Sequence, residues 1–200
     1  CFPVFRCSLA QAARCRMGLD AGGECMLMVL VGARGAGKTT LLETLRREGV
    51  KVLKPSTTRR PRSPTDDEYD FVDEWRDSDY AWAIPVGNNT YGMRRAELDR
   101  VREGICVTVF EPLNLHVFEG VRNELDRKSL TIGLATIADV AEQHRRVEGD
   151  EQRLMDEASF NRVKAIVRSC DLVLEGDAAT VAAAMREVLA SAVRPRSPTQ

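Results

Sequence analysis

Residues 26–39 read Met-Leu-Met-Val-Leu-Val-Gly-Ala-Arg-Gly-Ala-Gly-Lys-Thr, an apolar run that delivers Gly32, Gly37, Lys38 and Thr39 at the spacing G-x-x-x-x-G-K-[ST]. The pattern has a mechanism. Glycines at 32, 35 and 37 let the backbone turn so that successive N–H groups converge on a polyphosphate, Lys38 reaches the outer phosphates, and the Thr39 hydroxyl ligates Mg²⁺. The flanks agree with a phosphate loop. Cys25 to Val31 reads as a buried strand, and Leu41, Leu42 and Leu45 share one side of a following helix, giving the strand–loop–helix order such a loop needs. Residues Gly32, Ala33, Arg34, Gly35, Ala36, Gly37, Lys38, Thr39 and Thr40 are therefore expected to hold ATP, with Thr39 on the metal.

Outward from that loop, strands and helices alternate. Gly49 closes the first helix and Val50–Leu53 reads as a second strand; helix at 94–103, strand at 105–110, helix near 113–125 and strand at 130–134 follow. Thr136 with Asp139 suggests a capping box opening the next helix, 161–168 reads as helix, 171–174 as the last strand, and Asp177 caps a terminal helix carrying Val181, Met185, Val188 and Leu189. Nearly all-apolar strands alternating with helices predict a parallel sheet covered on both faces. Residues 55–93 break the rhythm: they are rich in Pro, Ser, Thr and charge, then β-like at 80–86, with turn chemistry at Gly87-Asn-Asn89. The expected architecture is an α/β P-loop three-layer sandwich. Residues 26–54 and 94–193 form its core, and 55–93 an inserted small subdomain.

Composition sets outer bounds. Of 200 residues, 44% are hydrophobic and 30% charged, ordinary for a globular domain. Twenty-nine basic against 30 acidic residues, a net charge of −1, give no field for nucleic acid or an anionic membrane. No apolar stretch approaches the roughly 20 residues that span a bilayer, and a cytoplasmic monomer or homodimer is expected. Cys106 and Cys170 lie in or beside apolar segments and read as buried thiols, not a disulfide framework. His116 and His144 lack metal-ligand spacing. Residues 1–25, with Arg6, Arg14 and Arg16 and no acid before Asp20, are expected to be a disordered extension, and 194–200 a disordered tail.

Three further strings follow the phosphate loop in order: Thr57-Thr-Arg-Arg-Pro-Arg62, Glu68-Tyr-Asp-Phe-Val72 and Asn89-Thr-Tyr-Gly92. With them the chain resembles the guanylate kinase family from about Met26 to Leu189. The resemblance implies that Arg59, Arg62, Tyr69 and Tyr91 grip the phosphate of a phosphorylated small-molecule acceptor. The chemistry is apt, since a phosphate dianion suits planar bidentate donors and short hydroxyl bonds. Glu111, at a strand end where the family carries Asp-x-Asp, is implied to orient the acceptor or the Mg²⁺ water shell. The resemblance further implies that the 55–93 subdomain binds the acceptor and that 144–162 form a lid, where Arg145, Arg146 and Arg153 occupy the place of the family's lid arginines, with Arg162 a further candidate. Such cations neutralise charge developing on a transferring phosphoryl group.

The departures are specific. Where family members read guanine with a serine, a glutamate and a second serine, this chain has Pro55, approximately Trp82, and Met93. Trp82 and Met93 cannot accept guanine's hydrogen bonds as those groups do. The acceptor is thus expected to be GMP or a related compound, or alternatively a sugar phosphate such as a ribose bisphosphate. A noncatalytic guanylate-kinase-like binding module is a different class. Such modules characteristically lose the loop lysine and glycines that are intact here. A nucleotide-hydrolysing switch would show Asp-x-x-Gly after an apolar strand, and none does.

Overall fold

The computed structural model describes residues 25–64, 66–122 and 128–193. The expected extension, apart from Cys25, and the expected tail lie outside these residues. The chain folds as an α/β three-layer sandwich about a five-stranded parallel sheet of order β2-β7-β1-β8-β9. Its strands are β1 (Met26–Gly32), β2 (Lys51–Val52), β7 (Ile105–Phe110), β8 (Lys128–Ala135) and β9 (Leu172–Glu175). β1 is central, paired in parallel with both β7 and β8. All seven of its residues are buried, which is why its sequence is continuously apolar and not alternating.

Among the described residues six α-helices complete the layers: α1 (Lys38–Arg47), α2 (Arg95–Asp99), α3 (Leu115–Arg122), α4 (Val140–Arg146), α5 (Glu157–Ser169) and α6 (Ala178–Val193). α1 packs on β1, β2, β7 and α6 through Leu41, Leu42 and Leu45, while α5 packs on β1 and β8. The α5 approach is close because Gly133 lies beneath it. A Cβ built there would stand 2.2 Å from the Val167 carbonyl oxygen. Cys106 and Cys170 are buried free thiols; burial pushes the Cys170 thiol up to about 11.

Residues 56–94 carry a second sheet of order β4-β3-β6-β5, from β3 (Ser56–Thr57), β4 (Asp70–Phe71), β5 (Tyr80–Val86) and β6 (Asn89–Arg94). β5 and β6 form a hairpin whose two-residue loop begins at Gly87 with a positive φ of 59°, the value a tight hairpin loop requires. Gly92 permits the hairpin to close, since a Cβ there would meet the Trp82 carbonyl oxygen at 2.3 Å. Trp82 of β5 joins the two sheets. Its ring packs 5.7 Å from Phe110 at the end of β7 and 5.8 Å from Phe118 of α3.

One sequence expectation is corrected here. α4 begins at Val140 with Asp139 as its N-cap, accepting from the Glu142 N–H at 2.8 Å. Thr136 is not a cap; its hydroxyl donates to the Ala36 carbonyl at 2.9 Å, buttressing the phosphate loop from the β8 side. A threonine followed three residues later by an acid matches both roles, and only the path of the chain separates them.

Candidate active site

β1 and β7 lie side by side in parallel, so their carboxyl ends open onto one crevice, the usual ligand position in such sheets. Gly32 ends β1 and leads into the loop; Phe110 ends β7 and leads to Glu111. Gly35 and Gly37 adopt φ of 84° and 86°, a left-handed conformation that bends the loop and that other residues enter at a cost of about 1–2 kcal/mol. Gly37 is the N-cap of α1, and the first N–H groups of a helix have no intrahelical partners, an arrangement suited to an anion.

Lys38 is half-buried and folds back on this loop. Its ammonium donates to the Gly32 carbonyl at 2.6 Å and the Ala33 carbonyl at 3.0 Å. Among the described residues no carboxylate comes within ion-pair distance of it. Burial holds its pKa below the ordinary 10.5, opposed by the fields of Glu111 and Glu68 and reinforced by Arg153 and Arg34. A cation withdrawn from water without a counter-ion is matched to a polyanion.

The cleft above the loop encloses about 600 Å³. From the loop side it is lined by Arg34, Gly35, Ala36, Gly37, Lys38, Thr39 and Thr40; Gly32 and Ala33 contribute through the carbonyls that hold Lys38. From the second sheet it is lined by Arg59, Arg62, Tyr69 and Tyr91, and Glu111 completes it at the end of β7. Arg146 and Arg153 line it from the far rim; Arg145 and Arg162 do not. Arg146 is already engaged, donating to the Thr136 carbonyl at 2.8 Å and pairing with Glu142. The Arg153 side chain has no hydrogen-bond or ion-pair partner among the described residues.

Neither arginine expected on the acceptor is idle. Arg59 donates through both Nη1 and Nη2 to one oxygen of Asp66, each at 3.1 Å, and the Arg62 backbone N–H reaches the same oxygen at 2.9 Å. Both side chains of the Arg59–Asp66 pair are well buried, at 11% and 9% exposure, and the guanidinium lies over the Tyr69 and Phe71 rings at 5.5 and 5.1 Å. Burial alone would raise the Asp66 pKa; the Arg62 N–H and the Arg59 guanidinium outweigh it and hold the carboxyl below its ordinary value. Arg59 Nε is buried without a partner among the described residues, leaving this group short of one acceptor there. Arg62 pairs loosely with Glu68 at 3.8 Å. Tyr69 and Tyr91 meet edge to face at 5.4 Å, and burial raises the Tyr69 pKa, so its hydroxyl is a donor at any physiological pH.

Three residues that motif reasoning passed over prove central. Asp66 fixes Arg59. Glu68 accepts a 2.8 Å hydrogen bond from the Thr39 hydroxyl, tying the second sheet's loop directly to the phosphate loop. Gln143, fully buried, donates to the carbonyls of Arg34 at 3.2 Å and Arg153 at 2.9 Å and accepts from the Met155 N–H at 3.3 Å. An isolated buried glutamine on an otherwise charged helix was the available signal, since such a group is retained only if bonded.

Apolar residues also line the cleft: Pro55, Trp82, Ile84, Val86, Val109 and Phe110. Trp82 and Met93 are register partners, 6% and 0% exposed, and the Trp82 indole N–H has no partner among the described residues. Ser56 is buried too, its hydroxyl turned to Asp70. Among the described residues no group of three His, Cys, Asp or Glu is arranged to hold a metal. A Mg²⁺ ion would complete its shell with phosphate oxygens, as it usually does. No described helix is long and apolar enough to cross a membrane.

No protein-family model matches the chain, and no curated protein matches its sequence. Its fold is similar to that of the crystal structure of guanylate kinase from Anaplasma phagocytophilum, with a TM-score of 0.57 at 20% identity over 86% of this chain and 88% of that one. The crystal structure of TT1252 from Thermus thermophilus aligns more loosely, with a TM-score of 0.43 at 19% identity over 82% and 96% of the two chains. At that identity the first likeness speaks to the fold, and the second carries no further argument.

Proposed function

We propose that this chain is an ATP-dependent phosphotransferase of guanylate kinase type, moving the γ-phosphoryl group of ATP to a phosphorylated small molecule. The observation that carries the reading is the single cleft lined on one side by the phosphate loop and on the other by Arg59, Arg62, Tyr69 and Tyr91. Two anion cradles sharing one cavity suit transfer between two phosphates.

The site fits ATP with Mg²⁺: the loop glycines bend its backbone toward an anion, and the Lys38 ammonium has no counter-ion among the described residues. On binding, Lys38 exchanges the Gly32 and Ala33 carbonyls for outer phosphate oxygens. Thr39 offers its hydroxyl to the metal, whose charge offsets that of the β- and γ-phosphates when it is bound. Arg62 and the two tyrosine hydroxyls hold the acceptor phosphate in line, with Arg59 fixed behind them by Asp66. Arg153, the lid-side cation without a side-chain partner among the described residues, meets charge developing on the group in transit. Positioning and charge stabilisation supply the rate, with no covalent role for the protein.

A base-free acceptor such as a sugar phosphate is the second reading. Pro55 and Trp82, which line the cleft, favour it because neither offers a guanine edge the hydroxyl or carboxylate that a base reader would, while Met93 is fully buried and takes no part in the lining. A coupled ADP-release assay across nucleoside monophosphates and sugar phosphates tests both. With whichever acceptor turns over, Lys38→Ala should lower kcat by about 10²-fold or more while leaving the far-UV CD spectrum and Tm nearly unchanged. An unaltered rate contradicts the reading. Titration calorimetry with ATP and Mg²⁺ addresses the noncatalytic-module alternative, for which no heat should appear.

A further inference from the structure

We infer that Glu68 is a carboxylate ligand of the nucleotide-bound Mg²⁺, so that the acceptor-side loop supplies part of the donor-side metal shell; this rests on the phosphotransferase reading above. Glu68 lies between β3 and β4 and is separated by 29 residues from Thr39, yet its Oε1 stands 2.8 Å from Thr39 Oγ1. The threonine hydroxyl is the group this loop type presents to Mg²⁺. That ion takes six oxygens at about 2.0–2.1 Å in an octahedron, which sets neighbouring ligand oxygens about 2.9 Å apart. The Thr39–Glu68 pair already has that spacing.

A hydrogen-bond acceptor for Thr39 does not by itself call for a carboxylate. One turn along the same helix, the Thr44 hydroxyl is satisfied by the Thr40 carbonyl at 2.9 Å. Glu68 instead brings a negative charge to the mouth of the loop. Its side chain is only 24% exposed, and its second oxygen lies 3.8 Å from Arg62 Nη1. One carboxylate thus touches the metal-binding hydroxyl with one oxygen and an acceptor-side guanidinium with the other. Mg²⁺ takes one or two carboxylates together with substrate phosphates in sites of this kind. Glu111, the other carboxylate of the cleft, has no contact with Thr39 and bears on Lys38 only through its field.

The test separates charge from shape. Glu68→Gln keeps an amide oxygen that accepts from Thr39, so a purely structural role survives the change and a metal-ligand role does not. Mn²⁺ binding to the full chain saturated with ADP is measured by the EPR signal of free Mn²⁺, and ADP affinity is measured separately in EDTA. The inference predicts that Glu68→Gln weakens Mn²⁺ binding about 10- to 100-fold, as Thr39→Ala does, with metal-free ADP affinity within about twofold of wild type. Mn²⁺ affinity unchanged in Glu68→Gln but reduced in Thr39→Ala overturns the inference and leaves the phosphotransferase reading standing. Failure of the unmodified chain to bind ADP overturns both.

Discussion

Gln143→Leu should loosen the phosphate loop and the Arg153 segment together. The substitution nearly preserves volume but deletes the three hydrogen bonds that Gln143 makes to the Arg34 and Arg153 carbonyls and from the Met155 N–H. A buried polar group stripped of its partner costs about 1–3 kcal/mol. Met155 is buried, whereas Arg34 and Arg153 are half-exposed and their carbonyls can regain water. Counting one full penalty and two partial ones gives a loss of about 3 kcal/mol, which in a chain of this size lowers Tm by about 6–12 °C. A nucleotide must then also order a loop that Gln143 had held, at about 1–2 kcal/mol per residue newly fixed, so ADP affinity should fall about tenfold. Urea titration reads the first quantity and calorimetry the second. A stability change below about 1 kcal/mol with unaltered ADP binding would refute the view that this glutamine braces the two segments.

Gly133→Ala drives a methyl group into the Val167 carbonyl 2.2 Å away, and the backbone of α5 cannot rotate aside as a side chain could. The expected loss is about 3 kcal/mol by urea unfolding, the upper end for overpacking, and a loss under about 0.5 kcal/mol would mean that the helix rides more loosely on the sheet. Asp66→Asn carries a pH signature. Because the fold holds the carboxyl below 3.8, its ionised form stabilises at all higher pH, and that contribution disappears as pH falls below 3.8 toward the folded-state value. The wild-type advantage over the asparagine variant should therefore be full near neutrality and shrink in acid. An advantage constant from about pH 6 to about pH 3 would remove Asp66 from the account.

Local chemistry was legible in the sequence wherever one segment contained the whole device. Residues 26–39 held strand, loop and helix start together, and β1, the loop and α1 form from them. The β5–β6 hairpin was likewise written in Gly87 and its apolar flanks. Cross-chain devices were not readable this way. Thr136 reaches back 100 residues to Ala36, and Gln143 reaches 109 back to Arg34. Glu68 opened a recognised motif, but its partner Thr39 lies 29 residues away on another element; Asp66 had its partners Arg59 and Arg62 close by in sequence, and only the fold of that loop turns both onto one carboxylate oxygen. Arg145 sits beside Arg146 in sequence, yet a helix sends neighbours about 100° apart, and only Arg146 reaches the cleft.

The resting posture of Lys38 bears on how the site meets its first ligand. Its ammonium already commits two hydrogen bonds to the Gly32 and Ala33 carbonyls, so on the phosphotransferase reading an arriving phosphate has to displace two peptide oxygens as well as water. Those oxygens are neutral dipoles, and an anion of high charge density outcompetes them most readily. On that reading the loop is expected to act as a threshold filter: chloride or a lone carboxylate should leave the lysine where it lies, and a polyphosphate should lift it away.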